Sequence, residues 1–84
     1  MRASIAKHFG LTISALRVER GLSQEELAHL AGLHRTFISL IELGKRQPTL
    51  TTVFDLAAAL DVRPSVLLRR TETLELDPSI RPKM

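Results

Sequence analysis

The chain lacks several residue types that would otherwise direct its interpretation. Its 84 residues contain no cysteine, no tryptophan and no tyrosine, and phenylalanine occurs only three times. Without cysteine there is neither a disulfide nor a thiolate to bind zinc or to act as a nucleophile. So few aromatic rings also argue against stacking on unpaired bases, the usual mode of single-strand and RNA binding.

Long apolar runs are missing as well. No uninterrupted apolar stretch approaches the ~20 residues that span a bilayer, and residues 1–10 lack the apolar segment of a signal peptide. We therefore expect no membrane association and a cytoplasmic protein located at the nucleoid. The sequence has no histidine cluster with metal-binding spacing and no glycine-rich phosphate loop. We expect neither enzymatic activity nor a cofactor.

The overall charge is modest, but its distribution is informative. Twelve Lys and Arg residues against nine Asp and Glu give a formal net charge of +3, which alone is weak evidence for a polyanionic partner. Arg35, Lys45 and Arg46, however, flank a single predicted helix, whereas most acidic residues lie elsewhere.

Glycine and proline divide the chain into five short segments in which apolar residues recur at steps of three and four. This pattern predicts helices over about 5–20, 23–31 and 35–43, a fourth after Pro48, and a fifth over 64–69. Gly10 interrupts the first segment. We expect one all-α domain over residues 1–70 and a tail over 71–84 that is mobile or associated with a dimer. Within the tail, 73–76 would form a strand only if another segment pairs with it.

The second and third helices are joined by only three residues, 32–34. Ser23 and Glu26 have the spacing of a capping box at the start of the second helix. Ala28 and Gly32 are small enough to let the two helices cross steeply, with Ile38 and Ile41 facing them. The same periodicity turns outward the residues that would enter a B-DNA major groove ~12 Å wide: Arg35, Thr36, Ser39, Leu40 and Leu43.

The segment GLSQEELAHLAGLHRTFISLIELGKRQP, residues 21–48, resembles the lambda-repressor-like or XRE family of helix-turn-helix regulators. The resemblance extends over about residues 9–68. Within the family, HRTFIS-x-IE-x-GKR is most similar to the controller proteins of restriction–modification systems. The resemblance implies a compact five-helix DNA-binding domain with the helix-turn-helix at helices 2 and 3.

Three residues are expected to contact the DNA backbone. The resemblance implies that Gln24 binds a phosphate, and a helix N-terminus with free N–H groups favours this. Lys45 and Arg46 fall in the loop after the third helix, where family members contact the backbone and sometimes the minor groove. These contacts would supply affinity.

Sequence selectivity is expected from the third helix. Arg35 is the best candidate for base recognition, because a guanidinium binds guanine O6 and N7 bidentately. Thr36 and Ser39 are expected to reach either base edges or phosphates. Leu40 would touch a thymine methyl group or contribute shape alone.

Some charged residues have expected roles within the fold. The resemblance implies a structural ion pair between Arg17 and Glu42 that joins helices 1 and 3. His8, His29 and His34 are interpreted as surface residues without a metal or catalytic role.

The resemblance also implies a homodimer on a pseudo-palindromic operator of double-stranded DNA. Phe54, Val66 and Leu68 are candidates for the dimer interface, although Val66 is nearly as well explained as part of the core. The alternative function is a protein-interaction module of the same fold, such as an antitoxin component or a transcriptional bridging adaptor. Gln24 and Arg35 favour DNA, and a further protein partner is left open.

Overall fold

The computed structural model describes residues 3–75, which form five α-helices and no strand. The all-α prediction is therefore confirmed for this part of the chain. The remainder of the predicted tail, residues 76–84, lies outside the described residues. The helices are α1 (Ala3–Glu19), α2 (Gln24–Ala31), α3 (Arg35–Glu42), α4 (Leu50–Ala59) and α5 (Pro64–Glu75).

Local side-chain chemistry fixes where α2 and α4 begin. Ser23 Oγ accepts a hydrogen bond from the Glu26 N–H at 2.9 Å, and Glu26 Oε1 accepts from the Ser23 N–H at 2.8 Å. The predicted capping box is present. The Ser23 backbone N–H lowers the pKa of Glu26 below its ordinary value, so this stabilisation is present above that ordinary pKa and is lost as the pH falls through the lowered one. Thr49 Oγ1 caps α4 by accepting a hydrogen bond from the Thr52 N–H at 3.2 Å, without a reciprocal side-chain bond.

Every helix contributes to one core. The fully buried large side chains come from all five helices, and burying each of them contributes roughly 1.5–3 kcal/mol. They are Ile13, Leu16, Leu27, Ile38, Ile41, Leu56, Leu60 and Leu67.

The fifth helix is longer than the sequence predicts. It continues from Pro64 to Glu75, so its predicted end at residue 69 is wrong, and residues 73–75, for which a strand was expected only with a pairing segment, are helical. The division into a domain over 1–70 and a tail over 71–84 stays a prediction. The reason for the longer helix is packing on α1: Thr71 is buried, its hydroxyl donates to Leu67 O at 2.8 Å, and its Oγ1 lies 3.3 Å from Thr12 Oγ1. Contacts with α1 thus extend α5 beyond the segment in which apolar periodicity predicts a helix.

His8 is also placed differently from its expected surface position. Its side chain is only 14% exposed, and its Nδ1 lies 2.7 Å from Glu75 Oε1. Ser4 Oγ donates to the other oxygen of the same carboxylate at 3.0 Å. This polar cluster joins the first turns of α1 to the end of α5.

Gly10 allows α1 to approach the end of α3. A Cβ atom at this position would overlap the carbonyl oxygen of Ile41 and lie 2.7 Å from that of Glu42. The two backbones are therefore in direct contact. The glycine that interrupts the helical pattern of α1 is required because a side chain at this position would prevent the close approach of α3.

A bidentate ion pair lies beside this contact. Arg17 Nε donates to Glu42 Oε2 at 2.7 Å and Arg17 Nη2 to Glu42 Oε1 at 3.1 Å. Arg17 Nη1 also donates to the carbonyl of Leu22 at 2.8 Å. The side chains are 15% and 7% exposed, respectively. The hydrogen bond to Glu42 raises the pKa of Arg17 above its ordinary value, so the pair remains charged.

The Gly10→Ala variant is expected to be less stable than the wild type by about 1–3 kcal/mol, because the methyl group cannot fit against the α3 carbonyls. Alanine is otherwise favoured over glycine inside a helix by about 1 kcal/mol. Urea unfolding measures the difference. Ala15→Gly, at an exposed position of the same helix, is the control and should cost only the propensity difference. A more stable Gly10→Ala protein would contradict the close contact.

Replacing Glu42 by glutamine is expected to lower the free energy of unfolding by about 3 kcal/mol, because the Arg17 charge is left largely buried without its partner. The exposed pair of Arg70 and Glu19, at 3.2 Å, supplies the matched control. Glu19→Gln should cost less than about 1 kcal/mol. Equal losses in the free energy of unfolding for the two variants would show that the Arg17–Glu42 pair stabilises the fold no more than an exposed pair does.

Candidate nucleic-acid interface

The turn between α2 and α3 is held by backbone hydrogen bonds and a left-handed glycine. Gly32 has a φ of 70°, and the next residue, Leu33, donates its N–H to Ala28 O at 2.9 Å. Ala28 and Ile38 are both buried, so the two helices meet at a small residue and an apolar one. The chain thus enters α3 directly from the end of α2.

One side of α3 is buried and the other faces solvent. Ile38 and Ile41 are fully buried, whereas Arg35 and Thr36, in the first turn, are exposed. Ser39 and Leu40, one turn later, are half-buried. The predicted base-contacting residues therefore share a surface, and its best-exposed members lie at the N-terminal end of α3.

Gln24 begins α2 and interacts with the end of α3. Its Nε2 donates to Glu42 Oε1 at 2.9 Å, so the carboxylate that pairs with Arg17 also binds this amide. An amide nitrogen carries two hydrogens, and one of them remains for another acceptor. A phosphate contact by Gln24 stays a prediction, and the sequence pattern did not indicate the contact with Glu42.

The loop after α3 folds back on the last turn of that helix. Gly44 has a φ of 73°, Lys45 N–H donates to Leu40 O at 2.9 Å, and Gly44 N–H donates to Ile41 O at 3.0 Å. This is the Schellman arrangement. The N–H of Arg46 also points to Leu40 O, at 3.3 Å. The loop backbone is therefore fixed beside α3, with the side chains of Lys45 and Arg46 exposed.

Two residues beside this loop were missed by sequence reasoning. Phe37, half-buried on α3, has the guanidinium carbon of Arg46 5.5 Å from its ring centre. Lys7 on α1 is exposed, and a Cβ on Gly44 would lie only 2.8 Å from its Cα. Lys7 therefore adds a cation beside the loop that carries Lys45 and Arg46.

The proposed interface residues lie on α4 and α5. Phe54 is 55% exposed and Leu68 is 51% exposed, whereas Val66 is half-buried. Other exposed large apolar side chains on α1 and α4 are Ile5, Leu11, Val18 and Leu50. A groove of about 150 Å³ lies beside Leu68 and is lined in part by Ile5, Phe9 and Val53.

Neither a metal site nor a membrane-spanning helix is found among residues 3–75. Across residues 3–75, no group of three histidine or acidic side chains is arranged to hold a metal ion. None of the described helices is long and apolar enough to cross a membrane.

Comparisons with known proteins agree with this geometry. The helix-turn-helix family model matches residues 13–67. The control protein C.BamHI of Bacillus amyloliquefaciens is 39% identical over 69 residues, which cover 81% of this chain and 85% of that protein.

Two solved structures of similar proteins superpose on most of this chain. The restriction–modification controller protein C.AhdI of Aeromonas hydrophila is 42% identical, covering 74% of this chain and 94% of its own, with a TM-score of 0.73. The controller protein C.Esp1396I, solved as a tetramer with its natural 35 base-pair operator, is 28% identical, covering 83% and 92%, with a TM-score of 0.77. This chain belongs to the helix-turn-helix family of XRE-type, DNA-binding transcription regulators, and its relatives include restriction–modification controller proteins.

Proposed function

We propose that this protein binds double-stranded DNA sequence-specifically, as a homodimer on a pseudo-palindromic operator, and regulates transcription through occupancy of that site. The observation that carries the proposal is the exposed face of α3, with Arg35 and Thr36 at its first turn and Lys45 and Arg46 beside it. A similar protein is known bound to its operator. The protein would act at the nucleoid in the cytoplasm, without catalysis or a cofactor.

The proposed contacts fall into two groups. Arg35 reads a guanine, with Thr36, Ser39 and Leu40 contributing further contacts to base edges, methyl groups or phosphates. Gln24, Lys45 and Arg46 bind the phosphate backbone and set the register of the protein on the duplex. The side chain of Gln24 is already oriented by its hydrogen bond to Glu42, so little additional ordering is needed on binding.

The proposed dimer pairs the α4–α5 surface of one protomer with the same surface of its partner. Phe54 and Leu68 are each about half exposed, and Val66 is half-buried. A two-fold axis through such a patch is the common way in which small regulators dimerise. It would place the two α3 helices about one DNA turn, ~34 Å, apart.

The overall proposal is tested by selecting bound duplexes from a random-sequence library. A repeated half-site in inverted orientation, with centres about 10 base pairs apart, is the expected result. Recovery of no preferred duplex would contradict the proposal and favour the alternative, a protein-interaction module of the same fold.

The Arg35→Ala variant should bind the selected duplex more weakly by about 1–3 kcal/mol and lose its preference at one base step in each half-site. The reason is the loss of a bidentate contact that only guanine offers. Fluorescence anisotropy with the selected duplex and with single-step variants of it measures both effects. Equal losses on selected and unrelated DNA would contradict base recognition by Arg35.

Lys45→Ala is the control for this experiment, because it removes one exposed cation from the adjacent loop. It should weaken binding to every duplex by a similar factor and reduce the salt dependence of the binding constant by about one unit of slope. A base-specific loss in this variant would place sequence recognition in the loop and not in α3.

Replacing Phe54 or Leu68 by serine is expected to convert the dimer to a monomer at tens of micromolar, since each would remove a large part of the apolar contact. Leu30→Ser is the matched control, because Leu30 is 56% exposed on α2, outside the proposed interface. Sedimentation equilibrium in the presence and absence of DNA measures the mass. A monomeric wild type that forms no dimer on DNA would contradict the proposal.

A further inference from the structure

We propose that Phe37 is a positioning residue for DNA binding, which holds the Arg46 guanidinium ready for a DNA phosphate. The inference rests on the proposed function and goes beyond it, because Phe37 has no part in the base and phosphate contacts named above. It begins from the 5.5 Å separation between the Arg46 guanidinium carbon and the Phe37 ring centre. A cation within ~6 Å of a ring centre is attracted to the ring face.

The backbone around Arg46 is already fixed. Arg46 N–H and Lys45 N–H converge on the carbonyl of Leu40, at 3.3 and 2.9 Å, and Gly44 adopts the left-handed conformation that this return requires. Gly44 is in addition packed against Lys7 of α1, where a side chain would not fit. The conformational freedom that remains in this loop is therefore the rotamer freedom of its side chains.

The Phe37 ring removes part of that freedom for Arg46. The ring is half-buried and packs against the core, so its own position is fixed by that packing. Stacking occupies a face of the guanidinium and leaves its N–H edge free. That edge is the part that binds phosphate oxygens in a bidentate manner. Lys45, the neighbouring cation, has a flexible stem and a point charge and gains nothing comparable from a ring face.

Pre-ordering a long side chain improves binding because its rotamer freedom is lost before the complex forms. Arginine carries a large side-chain entropy, so this contribution is greatest for residues of its type. Arg46 and Phe37 should therefore act as one unit: removing the ring should weaken the contact made by Arg46 without removing a contact to DNA.

A double-mutant cycle with the duplex selected from the random library tests this coupling. Phe37→Leu, which keeps apolar volume but removes the ring, should weaken binding ~2- to 5-fold. Arg46→Ala should weaken it by roughly tenfold in the wild type and only by about threefold in the Phe37→Leu background. Phe37→Tyr, which keeps the ring, should bind as the wild type does. The matched control is Phe37→Leu combined with Lys45→Ala, whose effects should be additive.

A second measurement uses the free protein and no DNA. In the wild type, the Arg46 Cδ protons should resonate upfield in NMR spectra because of the ring current of Phe37. The shift should persist in Phe37→Tyr and vanish in Phe37→Leu, and urea unfolding should show that both variants remain folded at the assay temperature.

Additive effects of Phe37→Leu and Arg46→Ala would overturn the inference, as would tighter binding by Phe37→Leu, which would mean that the ring withholds Arg46 from DNA. Failure of the wild type to select any duplex would instead overturn the proposed function. In that case the ring-current shift would still decide whether Phe37 holds Arg46 in the free protein.

Discussion

The arrangement of the helix-turn-helix depends on the direct approach of α1 to the end of α3. Two glycines make it possible: Gly10 on α1 faces the last carbonyls of α3, and Gly44 just after α3 faces the backbone at Lys7. At each position a single Cβ would force the two backbones apart. Because α3 is only eight residues long, its own hydrogen bonds supply little stability, and this contact determines its direction in the molecule.

The carboxylate of Glu42 adds a polar link at the same junction. It accepts hydrogen bonds from Arg17 on α1 and from Gln24 at the start of α2, so a single side chain joins three helices. A carboxylate that is only 7% exposed is costly to desolvate, and these bonds compensate for that cost. For function, this means that the orientation of the Gln24 side chain is coupled to the orientation of α3, because both depend on the position of Glu42.

The structural features that the sequence predicts are those controlled by residues close together along the chain. The capping box of Ser23 and Glu26 and the turn at Gly32 are local patterns with one geometric outcome, and both are found as expected. Gly10 shows the limit of such predictions. In the sequence, a glycine within a helical pattern indicates only a less stable helix, and the reason for it appears only when its neighbour on α3 is known.

Long-range contacts account for the features that were missed. The continuation of α5 to Glu75 is accompanied by packing on α1, including the buried contact between the Thr71 and Thr12 hydroxyls, and apolar periodicity does not predict this packing. The contact between Phe37 and Arg46 joins residues nine positions apart through a loop whose return is visible only in three dimensions. The same holds for His8, whose partner lies 67 residues away.

Both proposed surfaces take their position from α1. The helix α3, which carries the proposed DNA contacts, packs on α1 at Gly10 and Arg17, whereas α5, which carries Leu68, packs on α1 at the contact of Thr71 with Thr12. The residues of these contacts are largely buried, so α3 and α5 are both packed on the same helix. In the proposed dimer, the distance between the two α3 helices would depend on this packing within each protomer and on the interface formed by α4 and α5. Half-site spacing would then be a property of the fold, whereas base preference would reside in the few exposed side chains of α3.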